Sequence, residues 1–124
     1  MCPLAAHNIG TEKKFITEAA PLHPVGPWVD TLKLARCIRP ELKSHKLEDL
    51  LELFDLLPRV ESLCPDRAPH DALFDAVGSA ALLEMILAQE GAETLSLAAL
   101  TQARPDAYHQ LVKERRASYT TGRR

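Results

Sequence analysis

The chain has few cysteines, no recognisable secretion signal and no long uninterrupted apolar run, and each absence argues against a class of protein. Its cysteines, Cys2, Cys37 and Cys64, are odd in number and show no C-x-x-C spacing. This pattern argues against a disulfide framework and against a structural zinc site. The segment 1–10 has neither a basic start nor an apolar run of the signal-peptide kind. We therefore expect reduced cysteines and a cytoplasmic protein.

Hydropathy and charge give no sign of a membrane protein or of a basic nucleic-acid-binding chain. The most apolar stretch, 72–88, is interrupted by Asp75 and Glu84, which predicts a core helix and no membrane partner. The net charge is -2, with basic residues concentrated after residue 103. The last part, 118–124, is expected to be a disordered basic tail.

The apolar pattern predicts an α/β class with two short strands and about six helices. Strands are expected at 3–7 and 28–32, and helices at 11–20, 32–38, 72–88 and 106–117, with a short helix or turn at 95–100. A further helix has its apolar face at 47–54, with Ser44 as its expected cap, and Asp30 or Thr31 is expected to cap the helix at 32–38. The segment 56–68, with Pro58 and Pro65, is expected to be a loop, and Gly91 to end the longest helix. Because two strands alone do not make a stable sheet, the remaining strands of the domain are expected to lie elsewhere.

The start of the longest predicted helix carries the strongest chemical signal. Asp71, after Pro69, is suited to accept hydrogen bonds from the first amides of the helix. Asp75 lies one turn later among apolar residues, where a carboxylate is costly unless it is paired or binds a metal. His70 precedes the helix and can approach the same place. The structural alternative is that Asp75 accepts a bond from a neighbouring backbone amide and His70 is a loop residue.

Three ordered stretches carry a family resemblance. They are A-A-H-N-I-G-T-E-K-K-F-I at 5–16, V-D-T-L-x-L-A-R at 29–36 with K-S-H-x-L at 43–47, and H-D-A-x-x-D-A at 70–76. Together they resemble the second and third motifs of the DEDDh 3′–5′ exonucleases, which include the proofreading epsilon subunit of bacterial DNA polymerase III. The resemblance implies an RNase H-like fold, with its C-terminal two-thirds at 1–90 and a helical extension at 91–117.

The resemblance also implies roles for particular residues. In that family four carboxylates hold two divalent ions and a histidine activates the attacking water. Asp75 matches the last metal-binding aspartate, His70 the catalytic histidine, and Glu12 the carboxylate of the second motif. His7 and Asn8 are then expected to bind substrate, although a structural role for either residue stays open.

The implied cofactor is Mg²⁺ or Mn²⁺, with two ions in the complete site and at most one here. The implied substrate is the 3′ end of single-stranded DNA or RNA, and a DNA polymerase subunit is a further partner that the family suggests. The oligomeric state is left open.

The sequence departs from the family at two places. Glu12 replaces the usual aspartate, and Thr11 stands where an aromatic residue is usual. The larger departure is that the Asp-x-Glu pair of the first motif occurs nowhere in the chain. We therefore expect the C-terminal part of an exonuclease domain, begun in mid-fold by truncation or by a misplaced start, with little or no nuclease activity alone.

Two other classes compete with this interpretation. A metal phosphohydrolase of the HD type would use the adjacent pair His70 and Asp71, with His45 and Asp106 completing its site, but the strand at 28–32 does not suit an all-helical fold. A non-catalytic module that binds nucleic acid or a polymerase fits the missing Asp-x-Glu pair.

Overall fold

The computed structural model describes residues 3–23, 26–89, 96–102 and 113. They form, in chain order, β1 (Leu4–Ala6), α1 (Gly10–Ala19), β2 (Trp28–Asp30), α2 (Thr31–Ile38), α3 (Leu47–Leu53), α4 (Leu57–Leu63), α5 (Ala72–Leu87) and α6 (Leu97–Gln102). The predicted α/β class, mostly helical with two short strands, is confirmed for these residues. Gly91, the helix expected at 106–117 and the tail at 118–124 lie outside the described residues, apart from Lys113.

The two strands form a parallel sheet whose connection runs through α1. Leu4 is paired with Trp28 and Ala6 with Asp30, and the amide of Leu4 donates to the carbonyl of Pro27 at 2.9 Å. Parallel strands end at the same edge of a sheet, so the residues that follow β1 and β2 come together there.

Asp30 joins the two strand ends. Its side chain is buried, and its Oδ1 accepts from the amide of Leu32 at 3.0 Å, so Asp30, one of the two predicted capping residues, is the cap of α2. The same carboxylate accepts from the amides of Asn8 at 2.9 Å and Ile9 at 3.4 Å. A buried carboxylate needs such donors, and these bonds fix the start of α1 relative to the start of α2.

Helix α5 is the centre of the packing. It contacts α2, α3, α4 and β1, and Leu82 and Ile86 on it are fully buried. Gly78 lies against α3 so closely that a Cβ there would be 2.9 Å from Cδ1 of Leu51. Burial of the apolar side chains of α2 to α5 supplies the main stabilisation of the fold.

The exposure of α5 and α1 differs from the pattern expected of buried apolar helices. Six of the 16 residues of α5 are buried, and Leu73 is 48% exposed. Helix α1 has no buried residue, and its Phe15 is 73% exposed. Across the described ranges, no helix combines the length and the apolar character needed to cross a membrane.

The prediction of a loop at 56–68 is wrong, because α4 lies within it. Pro58 is in the first turn of α4, where a backbone N–H would have no partner inside the helix, so proline does not interrupt it. The predicted cap Ser44 is likewise not the residue that precedes α3. That residue is Lys46, whose amide donates to Oγ of Ser44 at 3.3 Å.

Candidate functional site

A cavity of about 1030 Å³ lies where the end of β1, helix α1 and the start of α5 meet. All the residues predicted to form a site are among those that line it, namely His7, Asn8, Glu12, His70 and Asp75. The cavity is as large as the clefts that bind sizeable ligands. The fold thus brings to one place residues that are far apart in the chain, from His7 to Asp75.

Asp75 occupies the first turn of α5 and is half-buried. Its Oδ1 accepts from the backbone amide of His70 at 3.2 Å, and its carbonyl accepts from the hydroxyl of Ser79 at 2.8 Å. The hydrogen bond from the amide of His70 is the one expected if Asp75 has a structural role. It uses one carboxylate oxygen, and Oδ2 has no hydrogen bond with any described residue.

His70 has a left-handed backbone, with φ of 73°. This conformation costs a non-glycine residue about 1 kcal/mol or more, so the turn needs support from its neighbours. That support comes from the bond to Asp75 and from the amide of Asp71, which donates to the carbonyl of Ala68 at 3.0 Å. The imidazole is 85% exposed, and its Nε2 lies 3.7 Å from Oε1 of Glu48 on α3. His70 is therefore accessible at the edge of the cavity, with two carboxylates close to it.

His7 has both ring nitrogens in hydrogen bonds. Nε2 lies 2.7 Å from the carbonyl oxygen of His45, and Nδ1 lies 2.8 Å from Oγ1 of Thr31. A carbonyl can only accept, so Nε2 carries the hydrogen, and in the neutral ring Nδ1 accepts from the hydroxyl of Thr31. Burial lowers the pKa of His7, which favours this neutral form. These bonds support a structural role, since a substrate that used either nitrogen would have to displace one of them.

Asn8 and Glu12 reach the cavity from the segment after β1. Asn8 has φ of 65°, a conformation that asparagine adopts more readily than most residues, and its side chain is exposed. Glu12 is exposed in the first turn of α1. The backbone role of Asn8 is thus evident, and its contact with substrate stays a prediction.

Cations also line the cavity, and sequence reasoning assigned them no role. Arg36 is on α2, and Lys43 and Lys46 are in the loop before α3. The segment 43–47 was part of the family resemblance, but nothing local to it indicated that the lysines would meet α5. Glu48 was missed for the same reason, because its place beside His70 depends on the packing of α3.

The residues present meet the needs of a divalent cation only in part. Hard cations such as Mg²⁺ and Mn²⁺ bind carboxylate oxygens, which Glu12 and Asp75 both offer in this cavity. Within the described part of the chain, no group of three His, Cys, Asp or Glu side chains has the arrangement of a metal site. These two carboxylates would therefore be part of a ligand set that other groups complete.

Asp71 does not share the site of its neighbour His70. Its Oδ1 accepts from the amides of Leu73 at 3.0 Å and Phe74 at 3.4 Å, so it caps α5 as predicted. Its Oδ2 lies 3.0 Å from Nη1 of Arg67, and this bond lowers the pKa of Asp71. Asp71 is absent from the cavity lining, which counts against the HD-type alternative. Asp106, also required by that alternative, lies outside the described residues.

Comparison of the chain with protein-family models, with curated proteins and with solved structures gives no match.

Proposed function

We propose that the cavity binds the 3′ end of a single-stranded nucleic acid, and that the chain is part of a DEDDh-type 3′–5′ exonuclease with an RNase H-like fold. One observation supports this most strongly. Glu12, His70 and Asp75, which match motif positions of that family, all line one cavity, which extends along β1 and past its carboxyl end. The carboxyl end of parallel strands is where open α/β folds bind their ligands.

In this proposal His70 is the general base. A histidine exchanges protons near neutral pH, and the exposed imidazole of His70 can reach a water molecule in the cavity. The carboxylate of Glu48, whose Oε1 is 3.7 Å from Nε2, would stabilise by its charge the imidazolium that forms when the proton is taken. Asp75 also holds the His70 backbone, so it positions the base.

Asp75 and Glu12 are the residues that would hold Mg²⁺ or Mn²⁺. When bound, such an ion makes water a better nucleophile and stabilises the leaving oxygen of a phosphodiester. Asn8 and His7 keep the end of β1 in place beside these carboxylates, through the bonds to Asp30 and His45. The products would be nucleoside monophosphates.

The chain supplies only part of the catalytic set of that family, because it contains no Asp-x-Glu pair. We therefore expect little or no hydrolysis by this chain alone. The test compares it with a version extended at the N-terminus by strands that carry the pair, on labelled single-stranded DNA and RNA with Mg²⁺ or Mn²⁺. The extended protein should release monophosphates from 3′ ends, and His70→Ala and Asp75→Asn should each abolish that release.

Asp71→Ala is the matched control, because it alters the neighbouring residue outside the cavity. It should retain hydrolysis wherever the variant is folded, whereas an HD-type enzyme would lose it. Equal activity of the chain and its extended version would contradict the proposal. Hydrolysis by the extended protein that persists after His70→Ala would also contradict it.

A second candidate is a module that binds nucleic acid, or a polymerase subunit, without cutting. The incomplete carboxylate set and the cations in the cavity favour this alternative. Binding of 3′ ends by the extended protein with no hydrolysis under any metal condition would support it. A polymerase partner rests on the family resemblance and stays a prediction.

A further inference from the structure

Three cations meet at the side of the cavity formed by α2 and the loop that follows it. Arg36, Lys43 and Lys46 all line the cavity and are all exposed. In the described part of the chain, none of the three lies within salt-bridge distance of a carboxylate. Their charges are thus available to an anionic ligand. The other exposed cations of α1 and α2, Lys13, Lys14 and Lys33, are absent from the cavity lining.

The loop that carries two of these cations is fixed by side-chain bonds. The ring of His45 bonds to the carbonyl of Arg39 at 2.8 Å, and the carbonyl of His45 accepts from His7 at 2.7 Å. Ser44 accepts from the amide of Lys46 and donates to Asp49. The loop is therefore tied to the end of β1 and to α3, so a ligand that binds its cations would need little ordering of the loop backbone.

The carboxylates of the cavity come largely from other elements. Glu12 is on α1, Asp75 is on α5 and Glu48 is on α3, whereas the cations come from α2 and the loop after it. A phosphodiester backbone is repelled by carboxylates that hold no metal and attracted by cations. A bound strand is therefore oriented, with its backbone at the cations and its end at the carboxylates.

We propose that Arg36, Lys43 and Lys46 form a phosphate-binding wall that holds the backbone of a single strand on the 5′ side of its terminal nucleotide. This inference rests on the proposed function and adds the direction in which the strand lies. Each phosphate contact on a single strand contributes about -0.7 to the slope of log K against log salt concentration, so the wall contributes about -2.

The experiment measures anisotropy of a labelled single strand of about ten nucleotides, without divalent metal, between about 50 and about 200 mM salt. The wall variant is Arg36→Gln, Lys43→Gln, Lys46→Gln. The control removes the same charge outside the cavity with Lys13→Gln, Lys14→Gln, Lys33→Gln. The parent and both variants keep the basic residues after residue 103. A difference in single-strand affinity between the two variants therefore comes from the wall residues. All six side chains are exposed, and circular dichroism checks that each variant is folded.

The wall variant should lose about 10-fold or more in affinity at the lowest salt, and its salt slope should be smaller by about 2 in magnitude. The control should stay within about twofold of the parent if the wall is specific. If the parent binds and the two variants have the same affinity and salt slope, the assignment of the wall is wrong and the proposed function is unaffected. A circular strand that binds as well as a linear one would overturn the 3′-end function and the direction assigned to the strand, and would leave only the phosphate contacts of the three cations. A parent that does not bind any single strand would overturn both.

Discussion

The carboxylate of Asp75 accepts a hydrogen bond from the backbone amide of His70, with 3.2 Å between Oδ1 and the nitrogen. The two residues that the sequence singled out for chemistry are thus connected through the backbone of one and the side chain of the other. This bond holds His70 in its left-handed conformation. Any test of Asp75 as a metal ligand must therefore separate its charge from this structural role.

Substitution of Asp75 by two different residues makes that separation. Asp75→Asn keeps a carbonyl oxygen for the His70 amide, so it should change the free energy of unfolding by less than about 0.5 kcal/mol. Asp75→Ala removes the acceptor and should cost about 1 kcal/mol. Both should lose the Mn²⁺ affinity that the carboxylate contributes. Urea unfolding and Mn²⁺ titration measure the two effects, with Glu52→Gln on the exposed side of α3 as the control. An asparagine that destabilises as much as alanine would show that the charge itself holds the turn.

Asp30→Ala should be among the more destabilising single substitutions in the described chain. It removes the acceptor for the amides of Asn8, Ile9 and Leu32 at a buried position. Loss of a helix cap together with unpaired amides should lower the free energy of unfolding by about 2–3 kcal/mol. Asp30→Asn retains one acceptor oxygen and should cost less. Urea unfolding measures both free energies. If Asp30→Ala lowers the free energy of unfolding no more than Asp30→Asn does, the role given to Asp30 at the strand ends is wrong.

The pH dependence of stability should carry a contribution from His7. Burial lowers its pKa in the folded protein below the usual value of about 6.5, so the unfolded chain binds the proton more readily. The stability that depends on the neutral ring is fully present above about pH 6.5 and is lost as pH falls from there toward the lower folded pKa. Urea unfolding at about pH 8 and at lower pH should show a smaller acid loss for His7→Gln than for the parent. His23→Gln, the same substitution at an exposed position, is the control.

Asn8 offers a test that separates backbone geometry from substrate contact. Its φ of 65° suits glycine, so Asn8→Gly should leave stability within about 0.5 kcal/mol, whereas Asn8→Ala should cost about 1 kcal/mol. If the amide contacts substrate, both variants should bind a single strand equally weakly under conditions where both are folded. Full binding by the glycine variant would instead assign Asn8 to the turn alone.

The errors of the sequence analysis have identifiable causes. Helix α4 was missed because Pro58 was taken as a loop signal, although a proline in the first turn of a helix is tolerated. The two lysines of the wall were overlooked because their neighbours in the chain do not show where the loop will be held. The bond of His45 to the distant His7, together with the bonds to Arg39 and from Ser44 to Asp49, places that loop beside the cavity.

The sequence by itself determined the local elements of this protein. The α5 cap at Asp71 was predicted, and the α2 cap was narrowed to Asp30 or Thr31, because each cap depends on hydrogen bonds to amides two or three residues away. The tertiary structure decided which side chains meet in the cavity and how they are held. Those relations join segments that are far apart in the chain, such as β1 and α5, and they follow from how buried surfaces pack, which no local pattern encodes.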